Sequence, residues 1–362
     1  MSVPKFYELK VKDVRPETAD CVSVALEVPE ELSETFRFAP GQYLTFRTLL
    51  NDEEVRRSYS ICVSPKEGDL RVAVKKVTQG KFSTFANEVL KKGDIVEVMP
   101  PMGKFSPKAT EKAQKNYLAF AAGSGITPIM SIMGAVLEAE PESTFTLVYG
   151  NKNRNTIIFR EAIEALKNKY MQRLRVYHVL SREQMEVPLF NGRIGAEKCT
   201  DFCKTLIDVS GIDEAFICGP EDMILAVRQQ LVDLGMPAAS VHIELFTSPD
   251  QAKATHDKWA AEHADDSAAM SKVSIILDGT TFDIELAYNG DSILDAALKH
   301  GADLPYACKG GVCCTCRAQV TEGAVDMEVN YALEPDEIAK GFVLTCQAHP
   351  KTERVVIDFD AR

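Results

Sequence analysis

The hydrophobic pattern changes texture twice along the chain. Near the start, Val22, Val24, Leu26 and Val28 alternate with other residues, as do Val72 and Val74, and turn residues separate such runs at short spacing. Side chains on a strand point alternately to either face, so this period of two predicts antiparallel strands closing into a β-barrel over residues 1–112. From residue 113 the pattern becomes strand and helix in turn. Apolar runs at 118–122, 145–149, 176–180, 215–218 and 241–246 alternate with helical patterns after Thr127 and at 161–167, 198–206 and 221–234. Five strands separated by helices predict a doubly wound parallel α/β sheet over 113–246. Residues 247–270 are rich in Ala, Asp and Ser with Trp259 their one large aromatic, which predicts a linker holding a short helix. Beyond it, over 271–362, a hairpin turns at Asp278-Gly279 and a helix opens near Asp291-Ser292 and stops before Gly301.

A length of 362 residues agrees with two or three domains, and 45% hydrophobic with 26% charged residues is a globular composition. The formal net charge of -12 argues against a nucleic-acid surface. Acidity is uneven: residues 271–362 hold 8 Lys+Arg against 15 Asp+Glu, whereas residues 1–246 hold 31 against 33. An acidic C-terminal module suits docking to a basic patch on an acceptor, and a solvated acidic face is the alternative. The ten cysteines show no paired framework, a reducing-compartment pattern, and Met1 to Tyr7 hold no apolar signal core, so a cytoplasmic location is expected. Residues 117–137 carry no charge and are long enough to span a bilayer, but the turn at 123–128 breaks them into strand and helix, so no membrane span is expected.

The chemistry is clearest at Cys308, Cys313 and Cys316, with Cys346 further on. This is the C-x4-C-x2-C…C spacing of a 2Fe-2S site, in which three thiolates on one tight loop and a fourth from a distant segment close around the cluster. Between the first two ligands lie Lys309, Gly310, Gly311 and Val312, where nearly bare backbone can curl and aim N–H groups at the sulfides. Zinc is the competing occupant, but structural zinc sites pair two short knuckles and this chain has one knuckle and two single cysteines. Cys314, beside Cys313, reads as a packing thiol.

Two further constellations concern phosphates. Gly123, Gly125, Thr127 and Pro128 lie where a strand passes into a helix: glycines admit a pyrophosphate, Thr127 is placed to cap the helix, and Pro128 suits its first turn. Cys218-Gly219-Pro220 ends a later parallel strand at the same edge, where ligands of such sheets gather. In the barrel, Arg57-Ser58-Tyr59-Ser60 is followed by Gly80, Ser83 and Thr84 at a helix start, so an arginine fork and a helix N-terminus can hold a pyrophosphate beside an aromatic ring.

In order and spacing, Pro40-Gly41-Gln42-Tyr43, Arg57-Ser58-Tyr59-Ser60, residues 123–128 and Cys218-Gly219-Pro220 resemble the ferredoxin-NADP reductase superfamily across residues 1–246. The resemblance implies FAD in the barrel, with Tyr43, Arg57, Ser58, Tyr59, Ser60, Gly80, Ser83 and Thr84 around it. Arg57 would bind the pyrophosphate, Tyr59 would pack on the isoalloxazine, and Ser60 would hydrogen-bond near N5. Glu244-Leu245-Phe246 resembles the family's terminal Glu-x-Phe, so Glu244 and Phe246 join Ser60 as catalytic candidates, with Phe246 covering the other flavin face until nicotinamide displaces it. The C-terminal module resembles a plant-type ferredoxin, which implies a β-grasp α+β fold. Residues 302–313 and 330–337 also resemble the cluster region of reductase subunits that serve multisubunit oxygenases.

After the third parallel strand, Ser181 and Arg182 place a hydroxyl and a guanidinium where an adenosine 2′-phosphate would sit, and they resemble the Ser-Arg pair of plant-type NADP reductases. NADPH is therefore favoured over NADH. A hydride carries two electrons and a 2Fe-2S centre accepts one, a mismatch that FAD resolves. No His-rich or Glu-x-x-His pattern provides an oxygen-activating metal centre, so the expected partner is the separate oxygenase component of a multisubunit di-iron complex. The reductase of another oxygenase and a non-enzymatic redox sensor are the alternatives.

Overall fold

A computed structural model describes residues 5–107, 113–246, 249–264 and 269–361. The chain divides into two compact units, one running from Phe6 to Phe246 and the other drawn from the residues beyond.

The first unit opens with six strands: β1 (Tyr7–Thr18), β2 (Cys21–Glu27), β3 (Tyr43–Leu50), β4 (Glu53–Ser60), β5 (Leu70–Lys75) and β6 (Ile95–Val98). They pair antiparallel in the order β4-β3-β6-β1-β2-β5. Register shifts between Val11 and Asp13 and between Pro16 and Thr18 sharpen the twist of the long β1, which lets the sheet curl. An isolated bridge between Ile61 and Val72, with Cys62 N–H donating to Arg71 O at 2.9 Å, brings the two outer strands together and closes the barrel. Leu9, Val24, Leu44, Phe46, Val72 and Val98 fill its interior, as the period-two pattern requires. The helix α1 (Lys81–Glu88) packs beneath, with Phe82 only 2% exposed.

The same unit continues with β7 (Asn116–Ala122), α2 (Ile126–Ala139), β8 (Thr144–Asn151), α3 (Arg160–Lys169), β9 (Leu174–Leu180), α4 (Ala196–Thr205), β10 (Glu214–Gly219), α5 (Glu221–Asp233) and β11 (Val241–Leu245). All five strands are parallel, in the order β11-β10-β7-β8-β9. Helices cover both faces, so β7 is buried from Tyr117 to Ala121 as a continuous apolar run. Strand order reverses between β7 and β10, and the crevice at their carboxyl ends is the switch point where such sheets bind ligands. No helix among the described residues is long and apolar enough to cross a membrane.

In the second unit, α6 (Pro249–Glu262) precedes β12 (Met270–Leu277), β13 (Thr280–Ala287), α7 (Ile293–Lys299), β14 (Arg317–Glu322), β15 (Val325–Met327), α8 (Pro335–Ala339), β16 (Phe342–Leu344), β17 (Ala348–Pro350) and β18 (Arg354–Asp358). Five of these strands form a mixed sheet, β13-β12-β18-β14-β16, against α7, while β15 and β17 make a separate two-stranded ladder. The hairpin turns where expected, with Asp278 and Gly279 both at positive φ, and Ser292 Oγ caps α7 by accepting from Asp295 N–H at 3.2 Å. The segment read as a linker with a short helix is a fourteen-residue helix, and Trp259 on it is 8% exposed. Its apolar face consists of one large residue, so periodicity could not reveal its length.

Candidate redox site

At the junction of barrel and parallel sheet, Ser60 ends β4 and Glu244 lies near the end of β11. The Ser60 hydroxyl donates to Glu244 Oε2 at 3.0 Å, joining residues far apart in sequence. Burial pushes the Glu244 carboxyl up to about 8, against the lowering effect of that hydrogen bond. Cys218, fully buried on the neighbouring β10, pairs with Glu244 in register, and burial together with the Glu244 charge raises its thiol. Phe246 follows β11 and is 38% exposed.

Along β4, Arg57 and Tyr59 share one face and Ser58 and Ser60 the other. Arg57 hydrogen-bonds the Arg56 carbonyl oxygen at 2.6 Å and pairs with no carboxylate among the described residues, so its charge is available to an anion. Tyr59 sits against Phe46 and Phe82 with centroids at 6.0 and 5.4 Å. Ser58 Oγ lies 3.1 Å from Thr45 Oγ1. Tyr43 is buried, its ring against Gly103, and its backbone exchanges hydrogen bonds with Met102. Gly80 precedes α1 as its N-cap without a side-chain hydrogen bond, and Thr84 is half-buried in the first turn. The Ser83 hydroxyl is committed within the protein: it accepts from Val77 N–H at 3.1 Å and donates to Gly80 O at 3.2 Å. It orders the loop, and the backbone N–H groups of the first turn remain for phosphate.

The nucleotide loop departs from expectation in two respects. Thr127 does not cap α2: it lies inside the helix, and its hydroxyl donates to Ser124 O at 3.0 Å, while the Ile126 N–H donates to the Gly123 and Ser124 carbonyls. Gly125 serves packing, because a Cβ there would stand 2.1 Å from Cys218 O. Gly123, at φ +54°, is the glycine with open space beside it, and Tyr149 Oη donates to its carbonyl at 3.0 Å. Pro128 occupies the first turn, and Gly219 and Pro220 bring β10 into α5 at the same edge. At the far side of the sheet Ser181 N–H donates to Asn151 O at 2.9 Å, and Arg182 is exposed with its guanidinium unpaired among the described residues. Two residues here escaped sequence reasoning. Lys75 Nζ lies 4.0 Å from the position of a Gly123 Cβ, and Asn151 is buried at the end of β8; neither belongs to a motif, and only the pairing of β5 and the crossing of β8 place them.

In the second unit the four cysteines converge. The Cys308 thiol contacts those of Cys313 and Cys346, and Cys346 also contacts Cys316. Those contacts, with the N–H groups of Gly310 and Val312, push Cys308 well below the usual thiol range, and the same contacts push Cys313 and Cys346 well above it. Gly310 N–H points at Cys308 Sγ from 3.3 Å. The loop curls through positive φ at Lys309 and Gly311, and a Cβ on Gly311 would press on Val329 at 3.2 Å. Cys314 turns away and donates to Ala332 O at 3.3 Å. Four thiols with inward backbone donors fit an iron–sulfur rhomb.

This architecture defines an oxidoreductase that joins a flavin domain, a pyridine-nucleotide domain and a 2Fe-2S domain in one chain. Sequence profiles agree: the oxidoreductase FAD-binding domain matches residues 8–106, the oxidoreductase NAD-binding domain 120–229 and the 2Fe-2S iron-sulfur cluster binding domain 275–351. The chain is 46% identical to a subunit of 1,2-phenylacetyl-CoA epoxidase from Escherichia coli K12, over 99% of this chain and 98% of that protein. It is 36% identical to the ferredoxin reductase component of 3-ketosteroid-9-alpha-monooxygenase from Rhodococcus rhodochrous, over 97% and 96%. Phthalate dioxygenase reductase has the same fold, with a TM-score of 0.58 at 23% identity and 98% of both chains covered. The chain belongs to the ferredoxin-reductase family of flavin and iron–sulfur reductases, of which that 1,2-phenylacetyl-CoA epoxidase component is also a member.

Proposed function

We propose that this chain is the reductase component of a phenylacetyl-CoA epoxidase complex, taking electrons from NADPH and delivering them to a separate di-iron oxygenase component in aerobic phenylacetate degradation, in the cytoplasm. The near full-length identity of 46% carries this reading. FAD would supply the chemistry that links two-electron hydride donors to one-electron acceptors, and Cys308, Cys313, Cys316 and Cys346 would hold the 2Fe-2S cluster.

The chain's own groups bind, orient and manage a proton. Arg57, lacking a carboxylate partner, neutralises the flavin pyrophosphate together with the first-turn N–H groups of α1. The buried Ser60 hydroxyl donates a hydrogen bond to Glu244 Oε2. With its carboxyl raised to about 8, Glu244 is largely protonated at neutral pH and can replace a proton that the Ser60 hydroxyl passes on. Phe246 shields the flavin until the nicotinamide enters. Arg182 and Ser181 hold the 2′-phosphate of NADPH, so R182A is expected to lower kcat/KM for NADPH by about tenfold and leave NADH nearly unchanged, narrowing the preference.

Anaerobic NADPH titration of the cluster-loaded protein tests the internal wire. Flavin bleaching should precede growth of a rhombic one-electron 2Fe-2S signal in low-temperature EPR, and a cluster that stays oxidised would refute the route. Mixing with purified candidate oxygenases tests the partner. The 36% identity to a 3-ketosteroid monooxygenase component favours, as second reading, the reductase of another oxygenase. Turnover with that oxygenase but not with phenylacetyl-CoA epoxidase would establish it. Rapid multiple turnover with an artificial one-electron acceptor would rule out a redox sensor.

A further inference from the structure

Apart from the four cluster cysteines, three ligand-type side chains meet between α6 and the β15–β17 ladder. His256 Nδ1 lies 2.7 Å and His349 Nε2 2.8 Å from the same oxygen, Glu328 Oε1. All three atoms fall within 4.8 Å of one another. The Glu328 side chain is 3% exposed and that of His349 0%, whereas His256 is 39% exposed and opens the group to solvent. The backbone under Glu328 is fixed, its N–H donating to Gln347 O at 2.9 Å and β15 pairing Asp326 with His349. His349 is held from its face by Trp259, stacked at 3.8 Å, and Trp259 also stacks with His263 at 4.3 Å. The remaining charges are peripheral: Asp326 lies 3.8 Å from His263 and 3.6 Å from Lys351.

We propose that His256, Glu328 and His349 form a site for a divalent cation of the zinc class, which pins α6 to the iron–sulfur module. Two imidazole nitrogens and one carboxylate oxygen are the donor set of open, three-ligand zinc sites, with water in the fourth position. Both rings aim at one carboxylate oxygen, so a cation entering between them needs each N···O distance to open only to about 3.2–3.4 Å, given zinc bonds of roughly 2.0–2.2 Å. His256 is on the exposed side of its helix and can supply that movement. Binding also requires each ring to carry its proton on the opposite nitrogen. For His349 that is Nδ1, which has no hydrogen-bond partner among the described residues, so none of them locks the tautomer that donates to Glu328. The ion would replace two hydrogen bonds by three coordinate bonds and join the segment that follows Phe246 to the β-ladder next to Cys346.

The test uses the full-length, FAD- and cluster-loaded protein, stripped of adventitious metal and titrated with zinc sulfate. Wild type should bind about one equivalent more zinc than H256A or E328Q, and affinity in either variant should fall by about a hundredfold. Cluster absorbance should be the same in all three. Zinc-edge X-ray absorption should show a nitrogen and oxygen shell without sulfur, which separates this site from the free thiols, and amide exchange across residues 252–262 should slow on zinc addition in wild type alone. Equal zinc uptake by wild type and both variants, or a sulfur shell, would overturn the proposal and leave the trio as a hydrogen-bonded clasp.

Discussion

Burial holds the Glu244 carboxyl at about 8, where a carboxyl of this kind ordinarily titrates near 4.5. Between those values the folded protein keeps a proton that the unfolded chain has released, so this residue makes stability fall as pH rises from about 4.5 through about 8. E244Q removes the effect. Denaturant melts at pH 5 and pH 8 should show wild type losing stability relative to E244Q by at least about 1 kcal/mol, a tenfold change in proton affinity being worth about 1.4 kcal/mol. Flavin reduction by NADPH should also lose its pH dependence in this region in E244Q, a result that packing alone would not produce. Gly125 is decisive for a steric reason. G125A would drive a methyl group into Cys218 O, and α2 would have to leave β10, at a cost of about 1–3 kcal/mol in urea unfolding and with weakened nucleotide binding. Motif reasoning singled out Gly125 and Ser83 for phosphate and Thr127 as a helix cap beside it. In the fold Gly125 makes room for a backbone, and the two hydroxyls bond backbone groups of their own loops.

The elements themselves were largely legible. The strands around Val22 to Leu26 and Val72 to Val74 and the five α/β strands carry strong periodicity because each buries a face or both. The helix α6 was only partly so. Alanine and charged residues let it form, and it is secured by Trp259 stacked on His349 and by His256 bonded to Glu328. W259A should therefore leave the cluster spectrum intact while releasing the helix, seen as faster amide exchange over 252–262, with a loss on the order of 3 kcal/mol in the protection of that element. Unchanged exchange would mean that the histidine contacts alone hold it.

At the scale of the whole molecule, the chemistry is divided between modules, so it should be separable. If Cys346 is a cluster ligand as proposed, C346S should lose iron and the 2Fe-2S absorbance together with delivery to the oxygenase, while NADPH-driven reduction of ferricyanide by the flavin persists. The module holding the cluster is also the acidic one, with 15 Asp+Glu against 8 Lys+Arg over residues 271–362. If it docks on a basic surface, oxygenase-coupled turnover should fall steeply between low and moderate ionic strength as the Debye length shrinks from about 30 to about 8 Å, and ferricyanide reduction should not.

What the sequence by itself determined is whatever is written locally: the period of each strand and helix, the cysteine spacing around one loop, the glycine and proline punctuation of the nucleotide turn, and the order of the modules. Such features are set by backbone geometry and by ligand valence within a few residues, so they survive reading one segment at a time. What only the tertiary structure decided are the meetings of distant residues: Ser60 with Glu244, Gly125 with Cys218, Lys75 beside Gly123, and His256 with Glu328 and His349. Each depends on which strands neighbour one another and which helix covers them. That choice belongs to the packing of the whole chain, and it converts an ordinary carboxylate into a proton-holding group and three scattered residues into a potential ligand set.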